Sequence, residues 1–235
     1  MLKFEQMIPI RDTIHARRTA WMVRLLLVLN VALFAVEVGQ GPGLQAFVYR
    51  LGVVPANWLI STPSDLLGWP ILFMSLLSSQ FLHGSVLHLA ANMLYLWIFA
   101  DNVEDRLGHG RFLMLYAGSG VVAAVTQILV SPTSSLPMVG ASGAIAGTLG
   151  AYLVLFPAAR IVTLVPLGFL LQVIELPAFL FLGLWFLLQW LHGVTTIGQV
   201  ADVGGVAFWA HIGGFVSGMV GAILLRIISG RYGRA

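Results

Sequence analysis

The stretch "VGASGAIAGTLGAYLVLFP", residues 139–157, holds no charged side chain and carries glycine at 143, 147 and 150. Spacings of four and three put those glycines on one face of a helix. An uncharged helix with a face of small residues is how membrane helices pack at close range. From Gly140 to Pro157 the helix would run 18 residues. At 1.5 Å per residue that is ~27 Å, slightly less than the ~30 Å hydrocarbon core of a bilayer. Its beginning is therefore expected to lie recessed below one membrane surface.

Five further apolar segments flank it, at about 22–38, 82–100, 112–130, 177–193 and 205–228. The sequence thus predicts an all-α polytopic membrane bundle of six helices. The composition agrees. Of 235 residues, 59 % are hydrophobic and 9 % are charged, and mean hydropathy is +0.94. A soluble domain carries about 25 % charge, so a water-soluble enzyme is excluded. There is no cysteine, which removes disulfides, Cys-ligated zinc and a cysteine nucleophile. A net charge of +3 is too thin for a nucleic-acid partner. Nothing calls for a cofactor or a metal, and the sequence is silent on oligomeric state.

The scarce basic residues serve another purpose. If both termini are cytosolic, Lys3, Arg11, Arg17, Arg18, Arg24, Arg106, Arg111, Arg160, Arg226, Arg231 and Arg234 all fall inside, and only Arg50 falls outside. That bias sets topology in membrane proteins. The resulting division is a basic cytosolic tail (1–21), a bundle (22–228) and a short cytosolic tail (229–235). The long basic start lacks a cleavage site, so the first apolar run reads as a retained helix and not a signal peptide. The first connection, 39–81, is long and amphiphilic, with Trp58 and Trp69, and is expected to lie in the outer interface. The charged run "DNVEDRLGHGR" at 101–111 reads as a loop. The connection 161–175, broken by Pro166, Gly168 and Glu175, reads as interfacial.

Polar groups inside membrane helices are costly and point to function. His88 and Asn92, four apart, share a face of the second helix. Ser142 opens the fourth, where unpaired backbone N–H groups favour negative charge. His211 lies on the face of the sixth that also carries Gly214 and Gly218. Each has a plainer reading. A serine bonds its own backbone, a histidine or asparagine joins neighbouring helices, and glycines pack. Together they fit a nucleophile and a general base held within reach by close helix packing, with Gly140, Gly143, Gly214 and Gly218 allowing the approach. His83 reads as structural or as a rim residue. Trp185 and Trp190 are candidate gate residues or interfacial anchors.

"GASG" at 140–143, "HLAANM" at 88–93 and "AHIGG" at 210–214, in that order, resemble the signatures of rhomboid intramembrane serine proteases. "FLHG" at 81–84 and "VEDRLG" at 103–108 resemble that family too. The resemblance implies a Ser142–His211 dyad and an oxyanion hole of His88, Asn92 and the Ser142 backbone N–H. It further implies cleavage of single-pass transmembrane proteins that enter laterally near the second and fifth helices. The setting it suggests is a bacterial inner membrane, with the site open to the periplasmic or extracellular side and membrane lipids as neighbours. Two positions depart from the family: Ala146 stands where some members stack an aromatic on the histidine, and Trp69-Pro70 replaces a Trp-Arg pair. Phe215 or Trp209 is then a candidate to position His211, and Asp202 a weaker one. The rival readings are a catalytically inactive relative that binds or escorts membrane proteins, and a channel or transporter. The latter lacks the expected repeat or charged path.

Overall fold

A computed structural model describes residues 7–60, 68–167, 170–196 and 206–228. Five helices in it are long and apolar enough to cross a membrane: α1 (Trp21–Val38), α5 (Val86–Leu107), α6 (His109–Val130), α8 (Ala178–Thr196) and α9 (Phe208–Ile228). The chain is an integral membrane protein, mostly helical. The remaining bundle helix, α7 (Ser142–Leu155), has 14 residues, about 21 Å. It is shorter than its apolar sequence suggested, and every residue from Gly143 to Tyr152 is buried. Helices α5, α6, α8 and α9 pack against it, and the bundle turns apolar side chains such as Val28, Leu129 and Ile228 outward.

Glycine holds this centre together. A Cβ on Gly218 would lie 1.8 Å from the Gly147 carbonyl oxygen, and one on Gly214 would lie 2.1 Å from that of Gly143. Helices α7 and α9 therefore meet backbone to backbone, as their glycine faces suggested. Gly143 and Gly147 also face α6, where a Cβ would strike Ala123 and Ser119.

The charged run at 101–111 is not a loop. Helix α5 continues to Leu107 and α6 begins at His109, with Gly108 alone (φ +85°) turning the chain. Only glycine adopts that backbone without strain. The acidic residues instead fasten the N-terminal segment. Helix α1 has no side-chain cap of its own, so its first N–H groups need an outside acceptor. Buried Glu104 supplies it, accepting from Met22 N at 2.9 Å and Val23 N at 2.8 Å, and it also pairs with His109. Asp105 accepts from the backbone N–H of Arg17 and Arg18.

A small sheet departs from the all-helical expectation. Strands β1 (Ile8–Asp12), β2 (Arg160–Leu167) and β3 (Leu170–Pro177) pair antiparallel in the order β1-β2-β3. Thr163 lies opposite both Pro9 and Ile174. The interfacial connection is thus a hairpin whose β-branched Ile161, Val162, Thr163 and Val165 favour extended backbone, and the N-terminal tail adds its third strand. Asp12 locks the sheet to the bundle by accepting from Asn102 Nδ2 at 2.8 Å and from the Tyr152 hydroxyl at 2.5 Å. Arginines 11, 17, 18, 24, 106, 111, 160 and 226 belong to elements that meet at this end, whereas Arg50 ends α2 (Leu44–Leu51) near the other.

The first connection folds into α2, α3 (Pro55–Ile60) and α4 (Gly68–Ser78). Trp58 packs edge-on to Trp69 and Phe73. This aromatic cluster joins α3 to α4 beside Pro70.

Candidate active site

Helix α7 starts at Ser142, after Gly140 with φ +130°. That conformation and the space both demand glycine. A Cβ there would lie 2.8 Å from His88 Cε1 and 3.5 Å from Ser142 Oγ. The bare Gly140 Cα thus brings the His88 ring and the Ser142 hydroxyl to one spot. His88 sits in the first turn of α5, whose N-cap is Ser85; the Ser85 hydroxyl accepts from His88 N at 3.1 Å. One turn on, Asn92 is buried, and among the described residues its Nδ2 has no hydrogen-bond partner. A buried donor left unpaired costs about 1–3 kcal/mol, and natural proteins rarely tolerate one without use for it.

From α9, His211 reaches across the glycine seam. Its Nε2 lies 2.9 Å from Ser142 Oγ, and its Nδ1 lies 2.7 Å from Gln189 Oε1 on α8. An amide oxygen only accepts, so Nδ1 carries the proton and donates it to Gln189. Nε2 is then the free lone pair and accepts from the Ser142 hydroxyl. The Trp185 ring lies 5.9 Å from the His211 ring, tilted by 36°.

Ser142, His211, His88, Asn92 and Trp185 line one cavity of about 760 Å³. A smaller one, about 300 Å³, also borders His211 and is lined by Tyr95 of α5 and Trp185, Gln189 and His192 of α8.

The four polar residues singled out in the sequence therefore converge, and Gly140, Gly143, Gly214 and Gly218 make the contacts that allow it. Of the two readings of His83, burial fits the structural one and not the rim: it is 1 % exposed, and its ring stands edge-on to His88 at 5.2 Å. It precedes α5, so helical spacing did not govern where it points. Trp185 stands beside the histidine within the cavity wall. Trp190 is 45 % exposed and packs edge-on to Trp209. Neither Phe215 nor Trp209 stacks on His211. Phe215 packs against Trp185, and the Trp209 indole donates to Gly193 O. The aromatic ring beside His211 is that of Trp185, and Asp202 lies outside the described residues. The residue missed is Gln189. It is the lone amide in the run "FLFLGLWFLLQWL" at 179–191, and a polar group so placed was signal enough.

Comparison with known proteins covers the same ground. The chain is 28 % identical over 203 residues to Rhomboid protein 1, mitochondrial, of Saccharomyces cerevisiae, covering 85 % of this chain and 51 % of that one. It is 35 % identical over 105 residues to the putative rhomboid protease YdcA of Bacillus subtilis, covering 45 % of each. Presenilin-associated rhomboid-like protein, mitochondrial, of Bos taurus is 29 % identical over 183 residues, covering 74 % of this chain and 45 % of that one. The chain spans about half the length of these curated relatives. The Rhomboid domain matches residues 72–227, from α4 through α9 and across every side chain that lines up on Ser142. On that match the chain belongs to the rhomboid family.

Proposed function

We propose that this protein is an intramembrane serine endopeptidase that cuts single-pass membrane proteins in or beside their transmembrane segments. The observation that carries the reading is the run Ser142 Oγ, His211 Nε2, His211 Nδ1, Gln189 Oε1, with separations of 2.9 and 2.7 Å at its two hydrogen bonds. Ser142 attacks the scissile carbonyl while His211 takes its proton. The same proton then goes to the leaving amine, and an acyl-enzyme remains. Water, deprotonated by His211, releases it. Gln189 acts through His211 as a positioning residue that fixes the tautomer.

Negative charge develops on the carbonyl oxygen during attack. His88, the free Asn92 Nδ2 and the Ser142 backbone N–H at the start of α7 are the donors for it. Such donors stabilise a transition state by about 3 kcal/mol each. The 14-residue α7 is shorter than a bilayer core, which favours a water-filled recess at Ser142. The cavity between α5 and α8 favours lateral entry of a substrate beside His211. A peptide bond within a helix is shielded, so segments that unwind readily are the preferred substrates.

In this reading the arginine-rich end faces the cytosol and the Ser142 end opens to the periplasmic or extracellular side of a bacterial inner membrane. Relatives occur in both bacteria and mitochondria. Nothing in the site favours an inactive escort, since serine and histidine are both present and in contact. The test is cleavage of a labelled single-pass substrate in proteoliposomes by the wild type, Ser142→Ala and His211→Ala. Loss of cleavage in both variants is expected, and undiminished cleavage in either one overturns the dyad.

A further inference from the structure

A second cavity, of about 500 Å³, lies between the N-terminal segment and the α5–α6 junction. Arg17, Arg18, Arg106 and Arg111 line it, with a single carboxylate, Asp105. Both Asp105 oxygens are already engaged by backbone: Oδ2 accepts from Arg17 N at 3.0 Å and Oδ1 from Arg18 N at 3.2 Å. The segment is tied down through its main chain, which leaves the side chains of Arg17 and Arg18 for other use. Among the described residues no carboxylate lies within 4 Å of the Arg17, Arg18 or Arg106 guanidinium.

Setting membrane orientation needs basic residues on one side. It does not need four of them around one opening, where like charges repel. Guanidinium groups present paired N–H donors that match the oxygens of phosphate. Apolar Leu107 and Phe156 complete the wall. The cavity sits at the ends of α5 and α6, the level at which basic pockets meet lipid headgroups.

We propose that this cavity binds a phosphate group, carried by an anionic phospholipid headgroup or free in solution. Held there, the phosphate clamps the N-terminal segment onto the α5–α6 junction. The site stands independently of any proteolytic activity.

The test uses the full chain in phosphatidylcholine nanodiscs with increasing phosphatidylglycerol, and reads retained lipid by native mass spectrometry. The wild type is expected to retain phosphatidylglycerol over phosphatidylcholine by about tenfold. The preference should fall several-fold in Arg106→Gln and vanish in the Arg17→Gln/Arg18→Gln/Arg106→Gln variant. Arg50→Gln, which removes an arginine at the opposite end, should retain it in full. Displacement of the lipid by millimolar inorganic phosphate, with a matching rise in melting temperature, would identify free phosphate as a ligand. Retention unaffected by phosphate identifies the lipid. Equal retention by wild type and Arg106→Gln, or an equal loss in Arg50→Gln, would overturn the site.

Discussion

The two ends of the bundle use polar residues in opposite ways. At the arginine-rich end the carboxylates are spent on the chain itself. Glu104 caps α1, Asp105 ties down residues 17 and 18, and Asp12 accepts from Asn102 and Tyr152. At the Ser142 end one buried carboxylate, Glu37, also serves the chain by accepting from His83 N, but the side chains that line the cavity include no carboxylate, and among the described residues the Asn92 donor has no partner. Satisfied polar groups fix a structure. Unsatisfied ones, kept in place by packing, are available to a reacting molecule. The glycine seam between α7 and α9 holds the second end together by close backbone packing, so that Ser142, His211 and Gln189 can bond to one another.

Mutations should separate these two uses. Outside the dyad, the largest effect is expected from Asn92→Leu, which keeps the volume and removes the donor. Its kcat should fall about 10²–10³-fold, with a melting temperature equal to or above that of the wild type. A large drop in melting temperature would instead mean that Asn92 belongs with the structural groups.

Gln189→Leu comes next, with a fall in kcat of at least about tenfold and little change in KM, because the imidazole loses its fixed tautomer. Gln189→Glu provides the sharper readout. A carboxylate at Nδ1 favours the imidazolium, so the acid limb of the pH–rate profile should move to higher pH. A profile identical to the wild type would remove Gln189 from the mechanism.

At the other end, Glu104→Ala should lower unfolding stability by about 1–3 kcal/mol, since the α1 N–H groups lose their acceptor. Cleavage per folded molecule should not change. Loss of activity without loss of stability would erase the distinction between the two ends.

The smallest effect concerns Asp12, whose carboxyl burial pushes above its ordinary range despite hydrogen bonds from Tyr152 and Asn102. A raised native pKa means the folded state binds the proton more readily, so stability falls as pH rises from about 4 through the native value. Thermal unfolding between pH 4 and 8 should show this fall in the wild type and a flatter profile in Asp12→Asn.

Much of the Ser142 end was legible in the sequence because its residues recur at helical spacing inside apolar runs, where any polar group stands out. His88 and Asn92 share a face, and Gly214 and Gly218 mark the contact with α7. Gln189 was just as visible, yet its partner lies 22 residues on in another helix, and no local pattern joins the two. The arginine-rich end was harder to read. Charged residues at 101–111 look like a loop unless one knows that Glu104 serves a helix start 81 residues earlier. The sheet pairs residues 8–12 with 161–164, a contact set by how the chain returns to that end and not by alternation in either strand.

Activation of Ser142 by His211 is open to a fluorophosphonate probe on the reconstituted protein, followed by peptide mapping. A single adduct at Ser142 is expected, lost in Ser142→Ala and nearly lost in His211→Ala while both variants remain folded. An adduct at any other residue, or undiminished labelling of Ser142 in His211→Ala, would rule the dyad out.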